Sequence, residues 1–254
     1  MKHRSIHTHL RDLAWALPLV ALLLLSTGTA CAQAPAEQHP MTSAASPGAA
    51  APKREPANVM PWEKADWLER EGRAESEKPE LVIQAMDLKP GMTVAEIGAG
   101  TGFFSRRIAT VVGPKGKVYA EDIQPQMLDR LKEYTAKEGA GNVITVLGTE
   151  TDPKLPAHGI DRVLLVDVYH EFQKPEPMLA AIRDCLAPGG TVILVEYRLE
   201  GETASYINIK HRMSVEQVLS EWTAAGFTLV RRSEDLPSQH VFIFSARRGA
   251  RPPA

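Results

Sequence analysis

Five apolar runs separated by helical patterns do most to narrow what this chain can fold into. They are "MTVAEI" (92–97), "GKVYAEDI" (116–123), "NVITVL" (142–147), "DRVLLVDV" (161–168) and "TVILVEY" (191–197). A strand covered by helices on both faces buries every side chain and therefore reads as an unbroken apolar run. Between them lie "GFFSRRIATVV", ended by Gly113-Pro114, "QPQMLDRLKEYTAKEG", with Pro125 in its first turn, and "PEPMLAAIRDCLA". Each gathers its apolar residues on one helical face. "WEKADWLEREG" and "KPELVIQAM" precede the first strand and also read as helices. Beyond residue 197 the pattern changes to a helix, "SVEQVLSEWTAAG", and two strands, "FTLVRRSE" and "HVFIFSA". Those strands are close enough in sequence to pair as an antiparallel hairpin. The order predicts an α/β fold with a doubly wound, mostly parallel sheet.

The first run stops at three alternating glycines, Gly98, Gly100 and Gly102, in "VAEIGAGTGFFSRR". In a doubly wound sheet ligands sit outside the carboxyl ends of the strands, which is where these glycines fall. Glycine permits a tight turn and a close approach of backbone to ligand. A phosphate-binding P-loop is excluded, because "GAGTGFF" contains no lysine. A nicotinamide dinucleotide fold needs a further glycine where Phe103 stands. A purely structural turn is the plain alternative.

The remaining form, E-x-G-x-G-x-G from Glu96 to Gly102, resembles the first motif of the class I S-adenosylmethionine-dependent methyltransferases. "LKPGMTVAEIGAGTGFFSRRIA" and "VGPKGKVYAEDIQPQML" are similar to the front half of these enzymes, including quinone-biosynthetic and isoaspartyl-protein relatives. "CLAPGGTVILVEY" is similar to their fifth-strand motif, and the resemblance covers roughly residues 60–246. It implies a Rossmann-like, seven-stranded sheet of order 3-2-1-4-5-7-6 with an antiparallel seventh strand, and S-adenosyl-L-methionine as cofactor. It also implies a binding set. Glu96 helps hold the methionine end through its ammonium, beside Gly98, Ala99, Gly100 and Gly102. Asp122, followed by Ile123, takes the ribose hydroxyls, with Glu121 as the alternative. Thr149 stands where the family usually has an acidic residue near the adenine, and the acid has moved to Glu150.

A sulfonium methyl is already an activated electrophile, so the protein must chiefly align a nucleophile and, where that nucleophile carries a proton, supply a base. The carboxyl end of the fourth strand faces the methyl in this fold and reads "VDVYHEF". His170 is the expected base, because imidazole titrates near working pH; capping the following helix or shaping the pocket is its plainer role. Asp167 is assigned to both catalysis and ligand contact. Trp62, Trp67, Arg70 and Arg73 before the first strand, and Tyr206, His211 and Arg212 after the fifth, are candidates for covering segments. The histidines show no metal-binding spacing, so no metal is expected. The resulting expectation is a methyltransferase acting on a small-molecule or lipid-like acceptor. The alternative is a non-catalytic S-adenosylmethionine- or nucleoside-binding module.

The amino end bears on that alternative. Lys2, Arg4 and Arg11 precede an apolar run, Leu13–Leu25, too short for the roughly 20 residues of a membrane span. Small residues follow, so residues 1–32 read as a signal peptide, cleaved after Ala30 or Ala32. Cleavage after Ala30 would leave Cys31 first, as in bacterial lipoproteins, although Gly28 stands where such signals usually carry leucine. The expected location is periplasmic or attached to a membrane through a lipidated Cys31, and cytoplasmic if the signal is unused. S-adenosylmethionine is a cytosolic metabolite, and that favours the non-catalytic alternative. Residues 33–58 form an Ala/Pro/Ser-rich segment, read as a disordered tether, ahead of a domain over 59–248 and a tail over 249–254. The net charge of −2 gives no basic face for nucleic acid. Cys185, on an apolar helix face, reads as an inert core residue.

Overall fold

In the computed structural model, which describes residues 55–247, the five apolar runs form parallel strands. They are β1 (Thr93–Ile97), β2 (Lys117–Asp122), β3 (Val143–Leu147), β4 (Ile160–Val166) and β5 (Leu186–Tyr197). β6 (Phe227–Ser233) and β7 (Gln239–Ala246) form the expected hairpin, and β7 runs antiparallel against β5. The sheet order is β3-β2-β1-β4-β5-β7-β6, as the resemblance implies. β5 starts earlier than its apolar run, because Leu186 already pairs with Ile160 ahead of a register shift between Ile160 and Arg162. The signal-peptide residues, Cys31, the tether as far as residue 54 and the 249–254 tail lie outside the described residues. Among the described residues no helix is long and apolar enough to cross a membrane.

Side chains alternate across a strand, and this sorts the core into two layers. Val94 of β1 and Val118 of β2 pack with Val82, Phe104 and Ile108, from α2 (Pro79–Ala85) and α3 (Phe103–Val112). Leu131 of α4 (Pro125–Glu138) packs against Ala99 and Ala120. Ala95 and Ile97 point the other way, toward α5 (Pro175–Cys185) and α6 (Val215–Ala224), with Met178, Ile182, Val218 and Trp222. Cys185 is buried in this second layer. Burial pushes its thiol up to about 12, which suits a packing role.

Ahead of β1 the chain makes a 3₁₀ turn, Trp62–Glu69, and a short α1 (Arg73–Glu77) that the helical patterns do not announce. Both cross the carboxyl ends of the strands. Glu69 holds Arg106 of α3 at 2.9 Å, and Arg73 reaches both Glu77 (2.9 Å) and the Leu68 carbonyl (2.6 Å). The last residues assigned to the tether belong to this cover. Ala57 is 1% exposed, and its N–H donates to the His170 carbonyl at 3.0 Å.

Trp222 is the largest fully buried side chain among the described residues and stacks on Phe244 at 4.7 Å and 13°. Its indole Nε1 is buried without a hydrogen-bond partner. Trp222→Ala should cost about 3–5 kcal/mol, read as a lower urea midpoint at unchanged slope. Trp222→Phe should cost clearly less, because it removes an unsatisfied donor along with the lost volume.

Candidate active site

The winding of the sheet reverses between β1 and β4. Outside the carboxyl ends of these strands lies a crevice of about 910 Å³, roofed by Trp67 and Leu68 on one side and by Tyr206 and Asn208 on the other. Its floor is the loop after β1. Gly98 and Gly100 have positive φ values of 68° and 54°. A Cβ on Gly98 would run into the Val168 side chain, and one on Gly100 would stand 2.5 Å from Leu68 Cδ1. Adjacent carboxyl groups at the end of β2 fix this loop. Asp122 accepts hydrogen bonds from the N–H of Gly100 (2.9 Å) and of Gln124 (2.8 Å). Glu121 Oε2 accepts from the Gly98 N–H at 3.3 Å, while its buried Oε1 has no partner. Burial, and then the charge of Asp122, push Glu121 up to about 8.

The other end of the crevice is built by the segment after β4. Asp167 is a non-glycine residue at φ 50°, an uncommon conformation that aims its carboxyl group into the crevice. Oδ2 accepts from Gln239 Nε2 at 3.2 Å, and the buried Oδ1 has no partner. Burial, then the charges of Glu196 and Glu77, hold this group well above the usual carboxylate range. His170 is 3% exposed; its Nδ1 meets Glu196 Oε2 at 2.7 Å and its Nε2 meets His211 Nδ1 at 2.9 Å. Glu196 Oε1 also accepts the Tyr169 N–H at 2.8 Å. Burial works to lower the His170 imidazole, but Glu196 outweighs it and the balance lies above the ordinary value. Burial, and then His170 itself, lower His211. Glu171 accepts the Met60 N–H at 3.1 Å, and burial pushes it up to about 7.

Gly98, Gly100, Asp122, Ile123, Thr149, Glu150, Asp167 and His170, named from the sequence, all stand on the crevice wall. Glu96, Ala99 and Gly102 stand behind it. Glu96 lies on the α3 face of β1, where its buried carboxyl group takes the Ser105 hydroxyl and burial pushes it up to about 7. Ala99 packs against Ala120 and Leu131, and Gly102 sits under Leu131 at the start of α3. Of the candidate covering residues, Trp67, Arg70, Arg73, Tyr206 and His211 line the crevice. Glu196 and Gln239 escaped the sequence reading. Glu196 had a signal, since it is the one charge inside the apolar run "TVILVEY". Gln239 had none.

The sheet order and the placement of the crevice define the Rossmann-like methyltransferase fold. Residues 94–190 match the family model described as "Methyltransferase domain". A protein-L-isoaspartate O-methyltransferase of Pyrococcus horikoshii is 31% identical over 114 residues, 45% of this chain and 48% of that protein. A ubiquinone/menaquinone biosynthesis C-methyltransferase of Ectopseudomonas mendocina is 30% identical over 122 residues, 48% of each. The chain thus spans about half the length of the curated relatives it matches. Among solved structures, a SAM dependent methyltransferase from Aquifex aeolicus superposes with a TM-score of 0.67 at 26% identity, covering 73% of this chain and 98% of that one.

Glu121 titrates at about 8 in the folded chain against an ordinary 4.5. The folded state therefore binds the extra proton between these values, and stability falls as pH rises across that window. Glu121→Gln removes the effect. Its melting temperature should exceed that of the parent near pH 9 and converge on it near about pH 4.5, as differential scanning fluorimetry across pH would read.

Proposed function

We propose that this chain is an S-adenosylmethionine-dependent methyltransferase acting on a small-molecule or lipid-like acceptor. One observation carries the cofactor assignment. Glu121 Oε1 and Asp167 Oδ1 are buried acceptors without partners on the wall of a crevice rich in carboxyl groups. Such a wall needs a ligand that donates hydrogen bonds and bears positive charge. S-adenosylmethionine fits on both counts, with a ribose diol, an ammonium and a sulfonium. A dinucleotide pyrophosphate would bring negative charge to the same carboxyl groups.

When bound, S-adenosylmethionine supplies a methyl group already activated by its sulfonium. The chain's own part is to bind, to orient and to exclude water. Asp122 and Glu121 would hold the ribose hydroxyls. Each carboxylate oxygen of Asp122 has two lone pairs, so its two backbone bonds leave it free to accept more. Thr149 and Glu150, at the edge of the crevice, would face the adenine. Asp167 would take the cofactor's cationic end. Glu96, buried under α3, would act through the position of β1 rather than by contact. His170, anchored by Glu196, presents Nε2 on the acceptor side, where it can take a proton from an acceptor that carries one. Trp67, Phe172, Tyr197 and Tyr206 give that side apolar walls, which suit an acceptor with a substantial apolar body.

Calorimetric titration with S-adenosylhomocysteine tests the cofactor. Asp122→Ala should weaken binding by roughly 10- to 150-fold, the worth of hydrogen bonds to a charged group. Unchanged affinity in Asp122→Ala together with a loss in Glu121→Ala would pass the ribose to Glu121. No binding by the parent protein would end this reading. S-adenosylhomocysteine release over a panel of acceptors separates turnover from the non-catalytic alternative.

The same proposal places the protein outside the cytoplasmic membrane, on the basic residues, apolar run and small residues that precede Cys31. Amino-terminal sequencing of the mature protein should begin at Cys31 or Gln33. A mature chain that still starts at Met1 would refute export.

A further inference from the structure

Two imidazoles and a carboxyl group converge on the acceptor side of the crevice. His170 Nε2 and His211 Nδ1 are 2.9 Å apart. With a Glu171 carboxyl oxygen, these ligand atoms all lie within 4.8 Å of one another. Atoms sharing one zinc-type ion at about 2.0–2.2 Å stand roughly 3–3.5 Å from each other. The two nitrogens are thus close to chelating separation, and Glu171, which also accepts the Met60 N–H, stands within reach of the same point.

A second observation lies behind the first. His170 Nδ1 is bound to Glu196 at 2.7 Å, and Glu196 is fully buried and accepts the Tyr169 N–H as well. This carboxylate–histidine arrangement is the one that metal-bound histidines carry. It keeps the ring proton on Nδ1 and turns the Nε2 lone pair toward the ion. His170 and Glu171 follow β4, whereas His211 closes the 3₁₀ turn Ile209–His211. The histidines are 41 residues apart, so no local spacing could announce the group.

We propose that His170, His211 and Glu171 form a site for a divalent transition metal of the zinc type. Two neutral imidazoles and one carboxylate are a borderline-soft set suited to Zn²⁺ or Co²⁺, and less suited to Mg²⁺ or Ca²⁺. Three protein ligands leave at least one coordination position open, and all three line the crevice. That position would take an oxygen of the methyl acceptor, which makes the acceptor class one with a metal-coordinating hydroxyl or carbonyl. With the ion bound, His170 Nε2 serves as ligand and no longer as base, and the metal would instead acidify a bound hydroxyl. The metal site stands on geometry alone; this last step rests on the methyltransferase reading.

The test uses the full, tag-free chain, stripped with EDTA and titrated with ZnCl₂ by calorimetry and with CoCl₂ by visible absorption. Wild type should take up one equivalent at this site. His211→Ala should weaken that uptake by more than roughly 100-fold, beyond the 10–100-fold typical of an outer-shell partner. Glu196→Gln, which changes a positioning residue, should fall within that 10–100-fold range. His211 is partly exposed, so its variant should keep the fold, as circular dichroism would verify. His3, His7 and His9 are common to parent and variants and cancel in the comparison. No zinc uptake by wild type, or identical isotherms for wild type and His211→Ala, would overturn the proposal. S-adenosylhomocysteine titration of the same samples keeps the two readings apart. Retained nucleoside binding without zinc removes only the metal, and zinc binding without nucleoside binding removes only the methyltransferase.

Discussion

The crevice exists because β2 holds down the loop that follows β1. Three successive N–H groups of that loop are taken by the end of β2: Gly98 by Glu121 Oε2, Ala99 by the Glu121 carbonyl at 2.7 Å, and Gly100 by Asp122. A glycine loop with free N–H groups is an anion cradle. Here those donors are already spent, and the groups that spend them are acidic. The same backbone bend that serves phosphate in other α/β proteins thus forms the floor of a crevice with carboxyl groups at the place of the anion. Leu68 can then lie directly over Gly100, where any side chain would displace it.

Gathering carboxyl groups at one end of a sheet carries an energetic cost, visible in how they titrate. Burial raises Glu121, Asp122, Asp167 and Glu171 together, and the charges of neighbours add to it for Glu121 and Asp167. Asp167 holds a left-handed backbone conformation as well. Strain and perturbed titration gather at binding centres, where the surrounding fold holds such groups in place. The central strands β1, β4 and β5 bury apolar side chains on both faces and supply stability that offsets this. The layer around Trp222, Phe227, Phe242 and Phe244 packs under the β5-β7-β6 half of the sheet and reaches the segment after β4 through Tyr169.

The strands were legible because burial on both faces of the central ones leaves their runs mostly apolar, and helices because their ends carry proline and glycine. Acidic residues at the end of β2 were legible too, and both Glu121 and Asp122 bind the loop after β1. Side-chain direction was not. On β1, Ala95 and Ile97 face α5 while Val94 and Glu96 face α3, so Glu96 meets Ser105 instead of the crevice. The motif conveys residue type, and the partner depends on which helix lands on that face. Groups assembled from distant loops were illegible for a plainer reason. Glu196, His170 and His211 come from three separate segments, and no periodicity links them. At the other end, composition overstated the tether. Ala57 carries no large apolar group, yet a backbone hydrogen bond to His170 and close burial suffice to dock it.

The two covers of the crevice are tied down by different means, and this bears on how a ligand enters. The amino-terminal cover is held by buried, charge-assisted contacts. Glu69 grips Arg106, Arg73 bridges Glu77 and the Leu68 carbonyl, and the Arg73 guanidinium lies over the Phe103 ring at 4.1 Å. Removing any of these strands a charge with few ways to reach water, so the cover is costly to lift. The segment after β5 is held differently. Tyr206 and Ile209 are 69% and 63% exposed, and the Lys210–Glu55 ion pair is open to solvent. Exposed pairs contribute little to stability. The contacts that draw this segment inward are His211 on His170, at the wall of the crevice, and Tyr206 on Ser238 and on the Tyr197 ring. Segments that open are drawn from the weakly held part of a fold. Residues 206–211 are therefore the more lightly held of the two covers.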